Sequence, residues 1–239
     1  MRSREANMKP LRISIIVPVW REQRIIADFL GHLRVCTPEA ELIVVDGGSD
    51  DDTTRQARGN CDRLIVSSRG RAQQMNGGAA IATGDVLWFL HADCRVSKGC
   101  LDAMRNALRD PLVIGGYFRI HLPSHRLVYR LTDDLAHYAG RLLRMRFGDH
   151  GLFCRRAEFQ TLGGFPEVPI MEDAEFFRAM HGLGRVVGLP QRLTLSTRRF
   201  EQVGPTKLTM AYALIAALYA IGVPLPSLHK LYRRTCAKP

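Results

Sequence analysis

Three short apolar runs, each opening onto a loop with acidic residues, constrain this chain more tightly than any other feature. Ile13 to Val17 reads ISIIV and meets Pro18. Leu42 to Val45 reads LIVV and meets Asp46 and two glycines, and Val86 to Leu90 is apolar throughout and meets His91 to Asp93. Runs this short and this apolar predict strands buried on both faces of a parallel sheet. Between the first two, Ile25, Ile26, Phe29, Leu30 and Leu33 recur at helical spacing, which supplies the crossover that parallel strands need. A further run at Leu64 to Val66 and a helix through Gln73 to Ala82 continue the alternation. The expected fold is α/β, a mostly parallel central sheet with helices on both faces.

Ligands of such sheets bind beyond the carboxyl ends of the strands. That rule puts Pro18 to Glu22, Asp46 to Asp52 and His91 to Asp93 on one rim. An unpaired carboxylate is costly to bury, so acidic strand ends gathered on one rim predict a site. At 239 residues, 46% hydrophobic and 24% charged, with no linker or repeat, the chain reads as one domain over 1–239. Within it a ligand-binding half is expected over 10–115, an irregular second half over 116–204 and an apolar, basic helical tail over 205–239. Glycines punctuate the second half, where a helix is expected from Glu172 to His181. The polar, basic start has no separate apolar segment or cleavage site, so no signal peptide is expected. The six scattered cysteines form no C-x-x-C pair, which predicts reduced thiols filling core gaps. A net charge of +11 suits an anionic partner, and the absence of any nucleic-acid-binding motif argues against nucleic acid.

Four segments carry chemistry, each with a plainer alternative. In VVDGGSDDDT, Val44 to Thr53, Ser49 or Asp50 would cap a helix, while Asp46 and Gly47 would be left to meet a nucleobase or ribose. In WFLHADC, Trp88 to Cys94, His91 and Asp93 share one side of an extended chain. Asp93 suits a hard cation, although a structural His–Asp bond explains the pair equally well. GRAQQMN opens a helix with Arg71, Gln74 and Asn76, donors for phosphate or sugar oxygens or simply a polar face. PIMEDAEFF sets Glu172 and Asp173 in a first helical turn, favourable for the dipole and also placed to supply a general base.

In this order, ISIIVPVWRE, IVVDGGSDDDT, GRAQQMNGGAAIATGDVLWFLHADC, GDHGLFCRR, LGGFPEVPIMEDAEF and LSTRRFE, the chain resembles glycosyltransferase family 2. GRAQQMN with FLHAD is similar to a bacterial subgroup associated with radical-SAM and selenoprotein-type gene clusters. The resemblance implies a GT-A fold, a nucleotide-sugar donor and Mg²⁺ or Mn²⁺. It also implies Asp46 at the nucleoside, Asp93 on the metal, and Asp173 with Glu172 beside it at the catalytic base. Pro18, Glu22, Gly47, Arg71, Gln74, Asn76, His91, Ala92, Arg198 and Arg199 complete the expected donor site. His91 stands where the family's metal triad commonly has an acid, and the Q-x-x-R-W form of processive synthases is absent. Single, non-processive, inverting transfer to an acceptor hydroxyl follows, the acceptor being a lipid, a polyprenol or another cell-envelope molecule.

A sugar-phosphate nucleotidyltransferase would carry a glycine-rich loop after its first strand, and PVWREQR has none. An inactive binding module is the other alternative, opposed by Asp46, Asp93 and Asp173 standing together. Met210 to Val223 is apolar but stops at Pro224, short of the roughly 20 residues that span a bilayer. It is expected to be a packed or interfacial helix. With Lys230, Arg233 and Arg234 behind it, peripheral contact with an anionic membrane is expected of a cytoplasmic protein.

Overall fold

Strand β1 (Ile13–Val19) is buried along its whole length and pairs in parallel with β2 (Glu41–Asp46) and β4 (Val86–Phe89) on its two sides. In the computed structural model, which describes residues 10–124, 126–142 and 145–236, β3 (Arg63–Val66) extends this array beyond β2. The chain therefore steps outward from β1 to β3 and then crosses to the far side of β1. This reversal opens a crevice at the carboxyl ends of β1 and β4. The crossovers are helices α1 (Ile26–Cys36), α2 (Thr53–Ala57) and α3 (Arg71–Ile81).

The second half adds β5 (Cys94–Arg95), α4 (Cys100–Ala107), β6 (Val113–His121), α5 (Leu127–Leu142) and a 3₁₀ turn at Gly148–His150. Then come β7 (Phe153–Arg155), α6 (Arg156–Thr161), α7 (Glu172–Leu183), β8 (Arg185–Leu195), α8 (Arg198–Val203), α9 (Pro205–Ala220) and α10 (Leu225–Thr235). Among the described residues one eight-stranded sheet results, in the order β3-β2-β1-β4-β7-β6-β8-β5. β7 runs antiparallel to both β4 and β6, and β5 antiparallel to β8. The basic stretch before Pro10 lies outside the described residues.

Strand alternation divides the core. Ile15, Val17, Leu42, Val44 and Trp88 face Ile26, Phe29, Leu30 and Leu33 of α1, while Ile16, Ile43, Val45 and Phe89 face Ala72, Met75 and Ala79 of α3 with Phe176 and Phe177 of α7. The sequence predicts that β1 stops before Pro18, but the strand continues through it, with Pro18 buried opposite Val45. The reason lies in the ladder. Ile16 accepts from Leu90 on the β4 side, so Pro18, two residues on, turns its missing N–H to that same side, past the last β4 pairing at Phe89.

The apolar C-terminal stretch is α9. It buries Leu208, Ile215 and Tyr219, and no helix among the described residues is long and apolar enough to cross a membrane.

Helix α3 lies flush on the sheet because of its glycines. A Cβ on Gly78 would meet Ile16 Cγ2 at 2.5 Å and Val45 Cγ2 at 2.9 Å, whereas one on Gly77 would meet only Ile65 Cδ1 at 3.7 Å. Alanine in a helix gains up to about 1 kcal/mol over glycine, and overpacking a core costs about 1–3 kcal/mol. Gly77→Ala should therefore stabilise the protein and Gly78→Ala should destabilise it, by about 1 kcal/mol or more in net. Urea denaturation of the two variants reads the opposite signs, and equal shifts would show that α3 is free to lift.

Candidate active site

The β1 and β2 ends are tied together from beneath by α3. Gln74 Nε2 donates to the carbonyls of Val19 and Val45, both at 2.8 Å, and Gly47 N–H donates to Val19. Gly47 is small because a Cβ there would press on the Gln74 amide at 3.1 Å. Asp46 is 1% exposed. Its carboxylate accepts from Ser49 N–H, Ser49 Oγ and Thr54 Oγ1, which folds the loop that follows β2. Asn76 binds both the carbonyl and the N–H of Phe165.

The residues expected at the donor have partners within the protein or lie buried. Gln74 and Asn76 spend their amides on main chain, Asp46 shapes its loop from inside, and Pro18 and Ala92 are buried in the core. Neither Ser49 nor Asp50 caps α2, whose first residue follows Asp52. Ser49 accepts from Arg21 N–H, and Asp50 pairs with the Arg21 side chain.

The chemistry gathers instead where β4 ends. Asp93 points into a cavity of about 400 Å³ that Asp149 and Asp173 also line. Three elements meet there at Gly148, where a Cβ would come within 2.2 Å of His91 Nε2 and 2.8 Å of Asp173 Oδ2. Only glycine permits that approach, and the 3₁₀ turn it begins carries Asp149 to the cavity. Asp173 and Glu172 enter from the first turn of α7, behind Met171 held at φ +72°. A non-glycine residue in that region costs on the order of 1–3 kcal/mol, a strain typical of functional turns. Both acids are buried. Arg71 Nε lies 2.7 Å from Glu172 Oε1, so the guanidinium expected on the donor is paired within the protein while still bordering the cavity.

Charge in this cluster is crowded. Burial, then the neighbouring Glu172 charge, raises the Asp173 carboxyl from 3.8 to about 6, against the pull of Arg71, His91 and the Gly148 N–H. Asp173 Oδ1 has no hydrogen-bond partner among the described residues. Confinement, then the Asp149 charge, raises the Asp93 carboxyl as well, with His91 and Arg198 opposing. Arg198 also reaches Glu22 at 3.4 Å, so β1, β4 and α8 share one rim. Arg199 lines the cavity while donating to Tyr232 Oη and to the Cys236 carbonyl, and it pins α10 to α8.

Among the described residues no three potential ligands cluster as a complete metal cage. Mg²⁺ and Mn²⁺ need none, since one or two carboxylates plus substrate phosphates suffice. Asp93 and Asp149 fit that role: both line the cavity, and the Asp149 charge disfavours ionised Asp93, a penalty that a cation there would relieve. The sequence reading omitted Asp149. Its signal was present in GDHG, a glycine-flanked acid with no apolar periodicity to explain it.

A family model described as Glycosyl transferase family 2 matches residues 14–157. An uncharacterized glycosyltransferase of Mycobacterium tuberculosis, Rv1514c, is 44% identical over 62 residues, 24% of this chain and 23% of that protein. The chain thus spans under a quarter of that relative's length. Among solved structures, a mannosyltransferase from Pyrobaculum calidifontis in complex with GDP-mannose and Mn²⁺ is similar at 20% identity and TM-score 0.64, over 94% of this chain and 70% of that one. Glucosyl-3-phosphoglycerate synthase from M. tuberculosis, with Mn²⁺, UDP-glucose and phosphoglyceric acid, is similar at 17% identity and TM-score 0.61, over 90% and 81%. TarS 1–349 of S. aureus is similar at 18% identity and TM-score 0.62, over 92% and 69%. These likenesses show the GT-A α/β fold.

The raised Asp173 carboxyl has a stability consequence. The folded state holds this proton more tightly than the unfolded chain, so the group favours folding below about pH 4 and that contribution is lost as pH rises through about 6. Asp173→Asn, with no charge to bury, should be more stable than the wild type at about pH 8, by on the order of 1–3 kcal/mol, and differ little near pH 4. Urea denaturation without divalent ions at the two pH values measures this. The same difference at both would show that Asp173 ionises normally.

Proposed function

The chain belongs to glycosyltransferase family 2, and from that premise we propose that it transfers one sugar at a time from a nucleotide sugar to an acceptor hydroxyl, with inversion. One observation carries this reading: a buried carboxylate with an unpartnered oxygen, Asp173, shares a cavity with two carboxylates suited to a cation, Asp93 and Asp149. The donor is assigned to the 10–115 half, over the loop that Asp46 shapes and beside Glu22 and Arg198. The acceptor is assigned to the 116–204 half, with 205–239 closing that side.

In the proposed step the acceptor hydroxyl attacks the anomeric carbon and Asp173 takes its proton. The bond from that carbon to the diphosphate oxygen breaks, and the nucleoside diphosphate leaves with the electron pair. A carboxyl raised to about 6 is ionised near neutral pH yet more basic than an ordinary carboxylate, which suits a general base. Glu172 neutralises Arg71 and so keeps Asp173 from being drawn to an ordinary, weakly basic value. Asp93 and Asp149 would hold Mg²⁺ or Mn²⁺, which when bound offsets charge on the leaving diphosphate. Arg198 supports the same charge from α8. The cation-bearing relatives support this assignment by their fold.

We also place the protein at the cytoplasmic face of an anionic membrane. Exposed Lys230, Arg233 and Arg234 of α10 would meet headgroups peripherally.

Asp93→Asn and Asp149→Asn should each weaken Mn²⁺-dependent binding of the best nucleotide sugar by tenfold or more, read by calorimetry. Asp173→Asn should keep donor affinity while single-turnover transfer falls by about 10²-fold or more, and Glu172→Gln should lose mainly stability with the Arg71 ion pair. An active Asp173→Asn beside a stable but inactive Glu172→Gln would reverse their roles. Membrane attachment should be released by salt, because screened charges carry it; protein that leaves the membrane pellet only with detergent would contradict that.

A further inference from the structure

Strand β6 borders two chambers. Its alternation sends Ile120 and Leu122 to the cavity of the three carboxylates and Tyr117 and Arg119 to the opposite face, where a second cleft of about 530 Å³ opens between α5, α7 and β8. Gly140 of α5 lies at the edge of both. The two differ in charge. Asp93, Asp149 and Asp173 line the first, whereas Arg119, Arg146, His137 and His181 line the second, and no carboxylate stands among its described lining residues.

The second cleft is built around Arg146. This guanidinium is 1% exposed, lies 4.3 Å over the Tyr117 ring, and donates to Tyr117 Oη at 3.0 Å and to the Met145 carbonyl at 2.9 Å. Two glycines make the room. A Cβ on Gly140 would collide with Arg146 Nη1, and one on Gly188, the partner of Tyr117 in the β6–β8 ladder, would come within 2.8 Å of Tyr117 Oη. Arg119 is exposed. It donates through Nη2 to His137 Nε2 at 2.9 Å and makes no ion pair among the described residues. A guanidinium carries five N–H donors, so a ligand can take the rest.

A phosphate monoester brings a charge of about −1.5 to −2 near neutral pH and three acceptor oxygens. Hydrogen bonds from a guanidinium to such an anion are roughly twice as strong as neutral ones. A carboxylate offers less charge and fewer oxygens to the same donors. The cleft is larger than a bare phosphate ion fills and lies in the size range of small organic ligands, and Phe177, Leu189 and Pro190 give it an apolar wall.

We propose that this cleft is a second ligand site, separate from the carboxylate cavity, which takes a small organic phosphate monoester. The phosphate sits at Arg119, beside His137 and His181 and over the Arg146 charge, with the organic part against the apolar wall.

Phenyl phosphate serves as the probe, titrated by calorimetry into the full chain with EDTA present. Without divalent ions the carboxylate cavity repels phosphate, so the heat reports the cleft. Saturable binding is expected, tighter than that of inorganic phosphate or phenyl sulfate. Arg119→Ala should weaken it by about tenfold or more, while Arg58→Ala, which removes an exposed cation at the end of α2, should change it little. His181→Gln, with the same weakening expected, replaces Arg119→Ala if circular dichroism shows that variant to be unfolded. Competition separates the sources of such a group: glycerol 3-phosphate should displace the probe, and vesicles containing phosphatidic acid should not. No saturable binding, a comparison anion binding as tightly as the probe, a folded cleft variant with unchanged affinity, an equal loss in Arg58→Ala, or displacement by the vesicles alone would each overturn the proposal.

Discussion

Two adjacent carboxylates at the start of α7 have to be buried, and much of the site is the means by which the protein tolerates them. Glu172 is matched by Arg71 at the start of α3, so one ion pair couples a helix of the first half to a helix of the second. Asp173 has weaker support, a share of the Arg71 and His91 charge and the Gly148 N–H, together with the favourable end of the α7 dipole. The difference between the neighbours follows from position. Adjacent helical positions do not share a face, so one acid can be neutralised as structure while the other stays basic and reactive.

That arrangement requires close approach. Gly148 is where the 3₁₀ turn, the β4 end and α7 come within contact distance, and any side chain there would push His91 and Asp173 apart. Gln74 holds β1 and β2 together from the other face. Non-glycine residues take left-handed backbone at two places around the rim, Arg21 in the loop after β1 and Met171 at the mouth of α7. On the proposed reading, a preorganised base and cation site of this kind would need little rearrangement when charge develops.

The two halves of the chain solve different problems. The first is a parallel array whose strand order reverses at β1 and β4, and the crevice there follows from topology. The second threads β7 antiparallel between β4 and β6 and packs α5, α9 and α10 around one side of the cavity.

Strand and helix identities in the first half were legible in the sequence, because period and apolar run length report local burial directly. The positions of Asp93, Glu172 and Asp173 at element ends on the rim were legible too, because they follow from where the strands and α7 stop. Polar helix residues were less legible. Gln74 and Asn76 read as ligand donors, yet they face main-chain groups of Val19, Val45 and Phe165 that lie far away in sequence. Asp149 was passed over because a lone acid in a glycine-rich turn has no periodic context, and only the convergence on Gly148 brings it to Asp93. By itself, then, the sequence determined the sheet, the rim and the class of chemistry, all of which depend on short-range pattern. Which polar groups are spent on structure, which carboxyl holds its proton more tightly and what lines the cavity depend on long-range contacts, and those only the tertiary structure decided.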